Sequence, residues 1–319
     1  AIDDVGTVDL ITWYDIEIGI SYSLSVSAED LDGFDIRAIA EQMYDASTHV
    51  WADDAEDTAP SDTYAAFREG SAKAKYRGTG DRTQYLNMAG ILEKDSFYSM
   101  DEIVAALKSA DEYMEYKLAA DIEYSRIDCG QDGVEELLVT APFEASEIFT
   151  LYMIIKEIDG ELTICFAQDA WSRCDVSVGA DGTIESSGSG GAAVHVNDYA
   201  FVDGSGDYHF YYGMEETLTL FGDYYVYENT DYKTISSEGL DREHIGIRDY
   251  YFEADYENRK HYYSYFMIDD NYNDITTDAD YEDSNELKKR FAQIGVQTYT
   301  KQDMDEMLSE RSKEIGYPE

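Results

Sequence analysis

Asp128-Cys129-Gly130-Gln131-Asp132-Gly133-Val134-Glu135-Glu136-Leu137 is set between two apolar runs, Ile122 to Ile127 and Leu137 to Phe143. An Asp-Gly pair between such runs predicts two strands joined by a tight loop. The loop is also acidic at alternate positions. Calcium takes roughly six to eight oxygen ligands. Asp128, Asp132 and Glu136, at loop positions one, five and nine, with the Val134 carbonyl at seven, form a candidate Ca2+ site. Gly133 at position six allows the sharp turn such a loop needs. Gly130 occupies position three, where a further oxygen ligand is expected, so water or another segment must fill that place. The competing reading is a hairpin whose carboxylates simply face water.

A helical EF-hand would carry a bidentate Glu at position twelve, but Val139 stands there inside an apolar strand run. What remains resembles the strand-loop-strand calcium loop of FG-GAP and VCBS-type repeats, as used in integrin-like propeller blades. A wider resemblance covers Glu93 to Phe143 and Asp283 to Gly316. A capped helix, a strand, the acidic loop and a closing Leu287-Lys-Lys-Arg-Phe291 … Ile294 to Leu308 unit are similar to uncharacterised secreted proteins and lipoproteins of Gram-positive gut bacteria. That resemblance implies an extracellular or cell-surface address and no particular reaction.

Composition agrees with such an address. The 319 residues hold 69 acidic against 23 basic side chains, a formal charge of −46, with 44% hydrophobic content. The hydrophobic share is ample for a packed core. The charge repels phosphate backbones and anionic lipid surfaces, so nucleic acid is excluded as an expected partner. A surface protein among divalent cations and adaptation to high salt both account for the acidity. No run approaches the length of a transmembrane helix, and the opening at Ala1 reads as a mature or trimmed form. Cys129, Cys165 and Cys174 lack metal-site spacing. Cys165 and Cys174 could form a disulfide in an oxidising compartment, the alternative being free thiols.

Outward from the loop, the chain reads as three regions. In the first, 1–121, Val8 to Val26 alternates as one long strand or a hairpin broken near Gly19, adding to the protein's own sheet or to a neighbouring subunit. Helices follow over Asp35 to Val50, from Pro60-Ser61 to before Gly78, and from Ser99 to about Leu118. Ser99 and Glu102 form a capping box at the start of the last. The second region, 122–268, turns to period two. Asp159-Gly160 predicts a type I′ hairpin, Asp181-Gly182 another, and Ser186 to Gly191 a flexible connection. Asp203, Ser205 and Asp207 form a weaker second calcium candidate; Asp269, Asn271 and Asn273 form a third, the alternative for both being a polar turn. Most of the 29 tyrosines fall between Tyr199 and Tyr281, as half-buried strand residues or as a glycan- or protein-binding surface. The third region, 269–319, is an acidic linker with helices from Ser284 and Thr300, stopped by Gly316 and Pro318.

The GxSxG, HExxH, Walker and Rossmann patterns are absent, and no catalytic residue is nominated. The expected fold is α+β: N-terminal helices, a mostly antiparallel β centre and a C-terminal helical tail. The expected function is a calcium-stabilised extracellular binding or structural protein with a protein or glycan partner. Its rivals are a filament or surface-layer subunit that self-associates through the N-terminal strand, and a glycan-active enzyme.

Overall fold

The computed structural model describes residues 8–15, 20–27, 63–109, 116–145, 147–228, 231–256 and 259–318. The chain divides into two compact units, Ala1–Asp62 and Thr63–Glu319. In the first, β1 (Val8–Asp15) pairs antiparallel with β2 (Ile20–Ser27), Asp15 lying opposite Ile20. Of the two alternatives for this stretch, the hairpin is the one formed. The helix expected over Asp35 to Val50 lies outside the described residues.

The second unit is built on two seven-stranded sheets. The first contains β3 (Ala74–Tyr76), β4 (Phe97–Tyr98), β5 (Lys117–Leu118), β6 (Glu123–Ile127), β7 (Glu136–Glu144), β8 (Ile148–Ile158) and β9 (Glu161–Ala170), in the order β4-β3-β9-β8-β7-β5, with β6 also paired to β7. The next strands are β10 (Cys174–Val178), β11 (Thr183–Gly191), β12 (Val194–Val202) and β13 (Tyr208–Thr217). A separate hairpin, β14 (Tyr224–Glu228) and β15 (Asp231–Ile235), precedes β16 (Ile245–Tyr251), β17 (His261–Met267) and β18 (Thr298–Tyr299). The second sheet runs β10-β11-β12-β13-β16-β17-β18. Five α-helices are described: α1 (Thr63–Arg68), α2 (Met88–Ile91), α3 (Met100–Ser109), α4 (Glu286–Gln293) and α5 (Lys301–Ile315).

Period-two patterning explains how the layers stack. On β7, Leu137, Val139, Ala141 and Phe143 face a core shared with Phe67, Ile103 and Leu107 of the helices. Leu138 points the other way, into a second core. There it joins Ile154 and Phe166 of the first sheet and Ile184, Val202 and Tyr251 of the second. β9 is covered on both faces and is buried without a break from Leu162 to Asp169. A third core joins Ile247, Tyr263 and Tyr265 to Val226 of the β14–β15 hairpin and Phe291 of α4. Truncating a wholly buried phenylalanine such as Phe166 in a core of this kind costs about 3–5 kcal/mol.

The α+β organisation with a helical first third is overturned: the described chain is mostly β, and its early helices are short and lie on a sheet. Helical spacing after Pro60 lasts only from Thr63 to Arg68. Gly70, at φ 74°, breaks it, and Lys75 and Tyr76 then pair in parallel with β9. The Ser99 capping box forms: the Ser99 N–H donates to Glu102 Oε2 at 2.8 Å and the Glu102 N–H to Ser99 Oγ at 3.3 Å. Yet Leu118, which continues the helical spacing, sits in β5 opposite Phe143. β3, β4 and β5 thus belong to one sheet with β7 to β9, and no separate unit begins at Ile122. Asp159 and Gly160, at φ 52° and 82°, make the type I′ turn. Ser186 to Gly191, expected as a flexible connection, is instead the end of β11, hydrogen-bonded between β10 and β12. No described helix is long and apolar enough to cross a membrane.

Candidate functional site

The acidic loop between β6 and β7 is closed by its own carboxylates. Asp128 accepts from the Gly133 N–H at 3.0 Å, and Asp132 from the Val134 N–H at 2.8 Å. Glu136 turns inward and is wholly buried. There Oε2 accepts from the Cys129 N–H at 2.6 Å, while Oε1 pairs with the Lys156 ammonium. Glu136 therefore does not fit a calcium ligand, because the fold supplies an internal cation to it. Lys156 loses some basicity by burial but regains more from Glu136, so its ammonium is held protonated. Val134 stays exposed at the tip.

The turn that carries the second calcium candidate packs against Gly130. A Cβ on Gly130 would lie 2.7 Å from the Gly204 nitrogen, and one on Gly204 would lie 2.8 Å from Asp132 Oδ2. Two loops distant in sequence thus meet backbone to backbone, which only glycine permits at this approach. In the second loop Asp203 Oδ1 accepts from the Ser205 and Asp207 N–H groups at 2.8 and 3.0 Å, and Oδ2 lies 2.7 Å from His209 Nε2. Asp207 pairs with Arg77 at 3.2 Å. The third candidate repeats the geometry, Asp269 accepting from Asn271 and Asn273 N–H groups at 2.8 and 2.9 Å. Among the described residues no three His, Cys, Asp or Glu side chains come together as a metal-binding group. Cys129, Cys165 and Cys174 are free thiols. Burial pushes Cys165 up to about 11 and raises the other two as well.

A site that sequence reasoning missed lies at the seam between β9 and the β10–β12 edge. It is a cavity of about 260 Å³. Its floor is the Ser187-Gly188-Ser189-Gly190 run of β11. Side chains that would fill the space are absent there, which gives a low-propensity sequence a structural purpose in a strand. Asp169, almost wholly buried on β9, accepts from the consecutive N–H groups of Gln84, Tyr85 and Leu86 at 2.7, 2.7 and 2.9 Å. That clamp fixes the segment carrying Arg82 and Gln84. The Arg82 N–H donates to the Ala167 carbonyl at 2.7 Å. Its guanidinium donates to Asp198 at 3.2 Å, and Asp198 also accepts from the Tyr251 hydroxyl at 2.7 Å. Burial, then the Asp198 charge, drives that hydroxyl far above the ordinary tyrosine range, so it is a permanent donor. Gly213 makes room for the reach, since a Cβ there would meet the Tyr251 ring.

The wall of the cavity is Trp171, packed 4.5 Å from the Tyr85 ring. Its Nε1 is buried without a hydrogen-bond partner. Arg173 is exposed and makes no ion pair among the described residues. Indole N–H, guanidinium, amide and hydroxyl groups converge beside an aromatic face, and the only thiol present, Cys174, is held protonated by burial. The chain matches no family model, no curated protein and no solved structure, so the reading of the site rests on its geometry.

Proposed function

We propose that the chain is an extracellular binding protein whose seam cavity takes an acidic sugar. The make-up of the cavity carries this reading. A sugar packs its CH face on a ring and turns its hydroxyls to planar polar side chains. Trp171 offers the first, and Gln84, Gln168, Ser187 and Ser189 the second. Arg173 supplies a guanidinium suited to a carboxylate substituent. The net acidity supports work among dissolved cations.

Trp171 is the sole tryptophan after Asp62, the others being Trp13 and Trp51. Titrating the protein with uronate oligosaccharides should change its emission, whereas Trp171→Phe should abolish that change. Arg173→Ala should weaken binding about tenfold, roughly 1.4 kcal/mol. Acidic and neutral oligosaccharides that both leave the emission untouched would refute the assignment.

Calcium enters this proposal as a brace, held by Asp128 and Asp132 with the abutting Asp203 turn and without Glu136. The meeting of the two loops supports it. An ion at about a hundred times its dissociation constant adds roughly 2.7 kcal/mol. Thermal unfolding in EDTA and in millimolar calcium, with magnesium and sodium controls, decides the matter. An equal gain in every salt is screening of the negative charge and removes the brace.

A further inference from the structure

The richest titratable cluster outside the seam lies on β13, β16 and β17. Register places Glu215 opposite Asp249 and Asp249 opposite Tyr263, so the three side chains leave one face in a row. His261, two residues before Tyr263, joins the same face. Its Nδ1 lies 2.8 and 3.0 Å from the two oxygens of Asp249, and both side chains are more than nine-tenths buried. Asp249 therefore orients the ring. Tyr263 stacks on the other side of His261, 6.1 Å between centroids and 11° from parallel. The Tyr263 hydroxyl accepts from the Tyr227 N–H at 2.8 Å.

In front of this row is a cavity of about 460 Å³ lined by Tyr227, Arg259, Lys260, His261, Tyr263 and Tyr299, together with the 295–297 turn. Three consecutive basic residues open onto it. Arg259 is fixed by donating from Nε and Nη2 to the Glu253 and Ala254 carbonyls, each at 3.2 Å, and by lying 3.9 Å over the Tyr251 ring. The Lys260 ammonium sits 4.7 Å over the Tyr262 ring. Neither Arg259 nor Lys260 makes an ion pair with a carboxylate among the described residues. In a chain with 69 acidic and 23 basic residues, unpaired cations gathered on one cavity need an explanation.

We propose that this cavity binds a phosphate or sulfate ester, its tetrahedral oxyanion held by Arg259, Lys260 and the Asp249-oriented His261, and its organic body packed among Tyr227, Tyr263 and Tyr299. Two cations and an oriented imidazole, on three separate stems, suit the three terminal oxygens of a tetrahedral ester better than the two of a carboxylate. The site is independent of the seam cavity, with different residues and a different ligand class.

The test is calorimetric titration of the full chain with p-nitrophenyl phosphate, p-nitrophenyl sulfate and, as a carboxylate control, p-nitrobenzoate. One or both esters should bind at least tenfold more tightly than the benzoate, the preferred ester naming the source. Lys260 is exposed, so Lys260→Ala should fold and weaken ester binding tenfold or more. His261→Gln should weaken it as well, with unchanged near-ultraviolet circular dichroism reporting an intact fold. Arg173→Ala should leave it unaltered. Benzoate binding as tightly as either ester, or Lys260→Ala binding like the parent, overturns the proposal. So does ester binding too weak to detect at millimolar concentration.

Discussion

Replacing Lys156 by methionine strips the Glu136 carboxylate of its cation while leaving it wholly buried under the loop. Methionine keeps most of the stem, so packing is largely retained and the loss is electrostatic. Removing one partner of a buried ion pair costs about 3–5 kcal/mol, because the remaining charge stays out of water. For a folded unit of this size each kcal/mol moves the melting temperature by roughly 2–4 °C, so Lys156→Met should melt about 6–20 °C lower. The double variant Glu136→Gln/Lys156→Met has no stranded charge, and the glutamine carbonyl can still accept from Cys129. It should recover at least about 1.5 kcal/mol of the loss, since a neutral buried group costs less than a charged one. Urea unfolding at neutral pH in EDTA measures both. A single variant that loses less than about 1 kcal/mol, well below the expected range, or a double variant no better than the single, would refute the account of Lys156 as the loop's own cation.

Gly204→Ala forces a methyl group against Asp132 Oδ2 and the Cys129 carbonyl, at 2.8 and 3.3 Å. It should cost about 1–3 kcal/mol by overpacking, read as a lower urea midpoint; a neutral effect means the loops do not meet. Burial, and then the Asp249 charge, raises the Glu215 carboxyl above the ordinary range. The folded chain therefore binds more protons than the unfolded one between the ordinary value and the raised one. Stability from this group falls as pH climbs through that window, and Glu215→Gln should lessen the slope in urea midpoints taken across mildly acid pH, leaving the part due to Asp249, which burial raises as well. Thr63–Glu319 is a compact unit by itself. The segment Thr63–Glu319 should accordingly fold alone with a single cooperative transition, and any self-association of the full chain should vanish with Ala1–Asp62. A truncated segment without near-ultraviolet circular dichroism would count against this.

Local chemistry was legible in the sequence where a residue type has one physical use. Asp159-Gly160 needs two positive φ values, and the Ser99 box needs free N–H groups to cap; both formed. Leu118 was misread because an apolar residue at helical spacing looks the same when its backbone joins a sheet. β11 was hidden by its composition: Ser and Gly give no strand signal, and its pairing comes from β10 and β12. The acidic loop was found, but the partner of Glu136 was not, since Lys156 becomes its neighbour only through the β7–β8 register. Arg82, Asp198 and Tyr251 carry no mutual spacing at all. Trp171 beside a Ser/Gly run was the one available sign of the seam cavity.

The placement of β3 has a consequence for how the chain is made. Its parallel partner is β9, Lys75 lying beside Thr163, so the segment that completes the central strand's pairing leaves the ribosome roughly ninety residues before its mate. At about 5–20 residues per second, that wait is on the order of ten seconds. During it the apolar side chains destined for the first core, Phe67 and Tyr76 among them, have no sheet to settle on. Biosynthesis of this protein thus carries a built-in interval of exposure in which a holding chaperone would be most useful, and it closes only when the β8–β9 hairpin emerges.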